Sequence, residues 1–123
     1  SGYENIHWLL SLHGVSSSKK NIEKVKKFSE LDEYLNFPVK TYSSGMFARL
    51  VYSVLSVLEF DILLLDEGIL VSDNKFMDKL KRTINEKLGK EGILIIASHS
   101  IDIKSKFVTK EIRLSQGLVS SYS

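Results

Sequence analysis

Asp61-Ile62-Leu63-Leu64-Leu65-Asp66-Glu67 is a hydrophobic run that ends in two carboxylates, and it begins 15 residues after the polar turn Thr41-Tyr42-Ser43-Ser44-Gly45-Met46. A short, continuous apolar run is the pattern of a central parallel strand covered on both faces. Such a strand delivers Asp66 and Glu67 to its carboxyl edge. The earlier turn opens an apolar helix, and free backbone amides and the helix dipole both favour an anion there. Together these are the parts that hydrolysis of a magnesium-bound nucleotide needs. The first acid can hold the metal through water, and the second can position or deprotonate an attacking water.

Working outward from the run, Met46, Phe47, Leu50, Val51, Val54, Leu55, Val57 and Leu58 recur at helical spacing and cover more than one face, which predicts a largely buried helix over 44–59. Phe76, Leu80, Ile84 and Leu88 stand four apart, which predicts an amphipathic helix over 74–88. Gly92–Ser98 is a second apolar strand, so the order strand, helix, strand predicts a parallel crossover. Adjacent parallel strands end side by side, and this places Glu67 and His99, just beyond the second strand, at one edge where α/β proteins bind ligands. A short helix over 101–107 follows. Lys110–Leu114 and Leu118–Tyr122, joined by Ser115-Gln116-Gly117, read as a terminal hairpin.

Upstream, Ile6, Leu9, Leu10 and His13 share one helical face over 4–13, and Gly14 ends that helix. Ser16-Ser17-Ser18 caps a second helix with its body over 21–30, where Ile22, Val25 and Phe28 form the stripe. The basic run Lys19, Lys20, Lys24, Lys26 and Lys27 is the solvated face of that helix. Leu31–Leu35 is a further short helical piece, and Asn36-Phe37-Pro38 is a loop.

With 123 residues the sequence amounts to at most one domain. Apolar residues at 43% and charged residues at 26% suit a soluble globular protein, and a net charge of +2 gives no basis for nucleic-acid binding. There is no cysteine, hence no disulfide framework and no thiolate metal site. No apolar run approaches the roughly 18 residues that span a bilayer. The sequence start carries no signal-peptide pattern, so membrane association is expected through a partner.

Tyr42-Ser43-Ser44-Gly45-Met46 resembles the signature motif of the ABC ATPases, usually Leu-Ser-Gly-Gly-Gln, with Ser43 and Gly45 matching and Tyr42, Ser44 and Met46 departing. Pro38 to Met46, continuing to Ala48-Arg49-Leu50, is similar to the branch that exports bacterial polysaccharides such as O-antigen, capsule or teichoic acid. Asp73, six residues after Glu67, matches the D-loop aspartate, and His99 in Ala97-Ser98-His99-Ser100 matches the switch histidine. The resemblance covers nearly the whole chain. It implies an α/β fold of the P-loop NTPase type, with a helical subdomain over 1–43. Residues 44–123 then carry the signature helix, the Walker B strand, the switch-histidine strand and the terminal hairpin. No Gly-x-x-x-x-Gly-Lys-Ser/Thr occurs, and Gly89-Lys90 is the only Gly-Lys pair. Tyr3-Glu4-Asn5-Ile6 resembles the segment just after the family's glutamine loop. The phosphate-loop half of the domain is therefore expected outside these residues, which alone are expected to be inactive.

The same resemblance implies roles. Asp66 would hold the water shell of Mg²⁺, Glu67 would polarise the attacking water, and His99 would contact the γ-phosphate of ATP. Ser43, Ser44 and Gly45 would close over ATP held by a second ATPase subunit, in a head-to-tail homodimer with Asp73 at its seam. A transmembrane permease would be the other partner, with the ATPase peripheral on the cytoplasmic face of the cell membrane. Trp8, the only tryptophan, lies in the stretch near the groove for the permease's coupling helix or else is an ordinary packed aromatic. Arg49 matches the family arginine, for which an ion pair orienting the signature helix is the simplest role. Met46 loses the polar side chain of the usual glutamine, Gly68 replaces a commoner Pro or Val, Ser72 replaces a glycine, and Val54 stands where many ABC proteins have arginine. Two other readings are a chromosome-maintenance or repair ATPase and a non-catalytic binding module. The first expects a long coiled coil, and residues 4–37 show no sustained heptads.

Overall fold

A computed structural model describes residues 1–66, 73–99 and 109–123. The described chain begins with two helices, α1 (Gly2–Leu12) and α2 (Lys19–Ser29), followed by 3-10 turns at Asp32–Asn36 and Val39–Thr41. Next come α3 (Ser44–Ser53), β1 (Ile62–Asp66), α4 (Asn74–Leu88), β2 (Ile93–Ala97) and a hairpin of β3 (Ile112–Ser115) and β4 (Leu118–Tyr122).

Polar residues set the helix starts. The hydroxyl of Ser18 accepts from the Asn21 amide at 3.3 Å, that of Ser43 from Met46 at 3.1 Å, and the Asp73 carboxylate from Lys75 and Phe76 at 2.9 and 3.2 Å. Each satisfies amides that a helix N-terminus leaves open. Helix α2 ends at Glu30 in the left-handed region, φ 56°. Helix α3 is shorter than its hydrophobic pattern predicts, and turns into 3-10 over Val54–Ser56. The Ser53 hydroxyl donates to the Leu50 carbonyl at 2.6 Å, the acceptor that a continuing α-helix gives to residue 54.

Two clusters form the interior. In one, α1, α2 and α3 enclose Ile6, Leu10, Val25, Leu35, Leu50 and Val54. In the other, Phe76, Leu80 and Ile84 of α4 pack with Ala48 of α3 and with Leu63, Leu65 and Leu94 of the strands. Helix α3 contributes to both, as its two-faced pattern requires. Strands β1 and β2 pair in parallel, Ile62 opposite Ile93 through Asp66 opposite Ala97, which is the expected crossover through α4. The continuous apolar run predicts burial on both faces, and the structure corrects this. Only the face against α4 is covered, while Ile62, Leu64, Ile93 and Ile95 are exposed. In the terminal hairpin β3 and β4 pair antiparallel. Its loop residues Gln116 and Gly117 both have positive φ, 49° and 79°, the combination a two-residue hairpin turn uses.

Candidate nucleotide site

The signature turn is the exposed N-terminus of α3. Ser43 is extended (φ −66°, ψ 163°) and caps the helix, so Ser44 and Gly45 fall in the first turn, where backbone amides have no intrahelical acceptor. A methyl group at Gly45 would meet nothing nearer than the Ser43 hydroxyl at 3.9 Å. The chain's own packing therefore does not need glycine there, although glycine costs a helix roughly 0.5–1 kcal/mol relative to alanine. A group approaching from outside would use the space that the missing side chain leaves open.

The structure gives two of the departures from the signature motif a local role. The Tyr42 hydroxyl donates to the Tyr34 carbonyl at 2.6 Å, and burial pushes its pKa up. A Cβ at Gly2 would press on this hydroxyl and on Leu35, 2.9 Å from Cδ2, so Tyr42 braces the turn against the start of α1. Met46 is partly buried and packs on the helical core, a place that suits an apolar side chain.

At the other end of the set, Asp66 closes β1 directly opposite Ala97, and His99 follows two residues later. Both are exposed at the carboxyl edge of the parallel pair. Glu67, Gly68 and Ser72 lie outside the described residues, as does the helix expected over 101–107. Among the described residues no group of three or more His, Cys, Asp or Glu could hold a metal. One exposed carboxylate still fits Mg²⁺ in a nucleotide site, because that ion keeps several waters and takes its other ligands from phosphate.

Asp73 is held within its own chain. One carboxylate oxygen caps α4 and the other pairs with the Arg49 guanidinium. The hydrogen bond from the Phe76 amide, and the Arg49 charge after it, hold the Asp73 carboxyl below the usual aspartate range against an opposing effect of burial. Arg49 also faces Glu30, 3.4 Å away, and Glu30 pairs with Lys79 at 2.6 Å. Sequence reasoning finds an ion pair for Arg49 but misses Glu30 and Lys79. Glu30 lies 19 residues before Arg49 and 49 before Lys79, and no local pattern marks such contacts.

Over 121 residues the chain is 37% identical to the O-antigen export system ATP-binding protein RfbE of Yersinia enterocolitica, an alignment that covers 97% of this chain and 51% of that protein. Over nearly all of its length the chain is similar to export ATP-binding proteins. It is also 36% identical over 124 residues to the teichoic acids export ATP-binding protein TagH of Bacillus cereus, covering 99% of the chain and 23% of TagH. No family model matches the chain. Among solved structures, an ATP-binding subunit of an ABC transporter superposes with a TM-score of 0.77 at 20% identity, over all of this chain and 52% of that one. The fold is that of the ABC ATPases. The chain thus spans about half the length of the RfbE relative and of this solved subunit. No helix among the described residues is long and apolar enough to cross a membrane.

Proposed function

We propose that this chain supplies the signature turn and the carboxylate edge of an ABC ATPase that powers export of a bacterial polysaccharide. The observation that carries the reading is the register of β1 and β2. It sets Asp66 opposite Ala97, and so brings Asp66 and His99 to the same strand edge, in a chain related to export ATP-binding proteins. The names of these relatives support a polymer of the O-antigen or teichoic acid type as cargo. Residues 1–43 are the helical subdomain in this reading, and 44–123 carry the catalytic elements.

Bound MgATP supplies the phosphoanhydride bond to be cleaved and the metal charge that assists it. Asp66 would hold the metal through its water shell. Glu67, next in the chain, would orient and polarise the attacking water, and His99 would donate a hydrogen bond to the transferred phosphoryl group. Ser43, Ser44 and Gly45 present amide and hydroxyl donors to ATP held by a second, head-to-tail copy, with Asp73 at the seam. These 123 residues contain no phosphate loop, so in this reading they alone neither grip nor hydrolyse ATP, and the complete protein supplies that loop. The exposed Trp8 and Leu12, one turn apart on α1, offer an apolar strip to the membrane permease, which would hold the ATPase on the cytoplasmic face. The composition gives no sign of nucleic acid as a partner.

The test is Glu67→Gln in the complete protein. This change keeps size and removes the charge, so ATP binding should persist while turnover falls on the order of 10²-fold or more. Turnover within a few-fold of the parent would overturn the catalytic reading.

A further inference from the structure

We propose that Arg49 is a positioning residue that fixes the signature turn to Asp73 in one rigid arrangement, so that the turn meets the nucleotide of the facing subunit in register with the seam. This rests on the head-to-tail ATPase reading above. The Arg49 side chain is only 18% exposed, and it reaches two carboxylates and a carbonyl. One guanidinium nitrogen is paired with Asp73. The other is 3.4 Å from both Glu30 and the Ser29 carbonyl. The guanidinium lies 4.8 Å from the Phe76 ring centroid. Lys79 occupies the same neighbourhood, 2.6 Å from both Glu30 and the Phe28 carbonyl, and stands over Phe28 and Phe76 at 4.6 and 5.1 Å.

The distances separate the tasks of the two cations. Lys79 makes the short polar contacts to the end of α2, and with the Phe28–Phe76 ring contact joins α2 to α4. The Arg49 contacts to that same end are long and weak. Among the described residues, the ionic link between α3 and Asp73 is the one Arg49 makes. Ser43 caps the helix that carries Arg49, and six helical residues span about 9 Å. A shift of the Arg49 anchor therefore moves Ser43, Ser44 and Gly45. Asp73 is gripped from two sides, by the first-turn amides of α4 and by Arg49. Donors on the signature turn that reach a ligand across the seam have to keep their spacing from that seam, and an error of about 1 Å can cost as much as 10²-fold in rate.

The variant Arg49→Met keeps the stem over Phe76 and loses the link. In the complete protein it should fold, leave ATP affinity within about threefold, and lower kcat roughly tenfold. Arg49→Lys retains a charge for Asp73 without the fork and should recover most of that kcat. A merely structural role for Arg49 predicts instead that loss of activity tracks loss of thermal stability in both variants. The deciding measurement uses mixed dimers. One subunit carries Arg49→Met and the other Glu67→Gln, with wild type plus Glu67→Gln as reference. If Arg49 serves the facing site, its lesion falls on the site that Glu67→Gln has already silenced, and the two mixed dimers turn over equally. If Arg49 serves its own subunit, or only the fold, the first mixed dimer is lower by the factor seen in the Arg49→Met homodimer, and the proposal is overturned. The Glu67→Gln homodimer separates the two layers of argument. Appreciable turnover there would overturn the ATPase reading and this inference with it. A silent homodimer beside a depressed mixed dimer would overturn this inference alone.

Discussion

The helical region and the sheet region bury their apolar residues to different extents. Ile6, Leu10, Leu35 and Leu50 are closed off from solvent, whereas Leu64, in the middle of the better of the two apolar runs, is 69% exposed. Both regions are rich in Leu and Ile, so composition does not explain the contrast. Three helices can enclose a core among themselves, each giving one stripe. A parallel strand pair with a single crossover helix can cover only the face that the helix occupies. The helical region is thus a finished packing unit, while the sheet is one layer whose second face is the side on which another layer would pack.

Phe76 joins the two regions, and removing it should have the largest effect on stability. It is 1% exposed, meets Phe28 edge-on at 5.7 Å, and lies beneath both Arg49 and Lys79. Phe76→Ala should cost about 3–5 kcal/mol, seen as a lower urea midpoint, and should loosen α3 and α4 together in hydrogen exchange. Loss of protection confined to α4 and the strands would show that the regions are independent, and would break the comparison at its joint.

The same contrast accounts for how far the sequence could be read. The bounds of α4 follow from a four-residue apolar period between a capping Asp73 and Gly89 at φ 59°. The parallel pairing followed from two apolar runs separated by that helix. The early end of α3 did not, because a hydrophobic period reports a face and not the Ser53 hydroxyl that takes the Leu50 carbonyl. The open sheet face did not either, because Ile62-Leu63-Leu64-Leu65 reads the same whether one face is covered or two. At the site, Asp66, His99 and Ser43 were legible because each sits at a strand or helix end. The contacts of Arg49 were not, since its partners Glu30 and Asp73 lie 19 and 24 residues away. Tyr42 reads as a departure from the motif, and its bond to Tyr34 appears only when the chain is folded.

A smaller and more direct test sets one leucine from each region side by side. Leu10 is fully buried in the helical cluster, and Leu10→Ala should cost about 2–5 kcal/mol. Leu64 faces outward, and Leu64→Thr, which keeps β propensity, should stay within about 0.5 kcal/mol in this chain. The 123-residue chain should also become less prone to associate, since an exposed apolar patch is reduced. In a longer protein where another layer covers this face, the cost of Leu64→Thr should rise toward that of Leu10→Ala. Equal costs for the two variants in the 123-residue chain would mean that the face is already covered by self-association, which sedimentation would reveal.

The weakest expected effect concerns acid, and it tests the seam between the two regions. Two of its carboxylates, Glu30 and Asp73, have lowered pKa values. For Glu30 the leading cause is the hydrogen bond from Lys79, and for Asp73 it is the amide of Phe76, with the Arg49 charge adding to it. A carboxylate whose folded pKa lies below its unfolded value binds fewer protons when folded. Its contribution is fully present above the ordinary carboxylate range near about pH 4 and is lost as pH falls through the folded pKa. The effect should be modest and should shrink with salt, because both side chains are nearly half exposed, 47% and 42%. Thermal midpoints should therefore drop in acid more steeply for the parent than for a Glu30→Gln, Asp73→Asn double variant. In native-state hydrogen exchange the first amides of α4, Lys75 and Phe76, should lose protection before the helical core does, because protonated Asp73 caps them less well. Identical acid profiles for parent and double variant would show that these pairs contribute nothing to the seam, leaving Phe76 and its ring contacts as what joins the two regions.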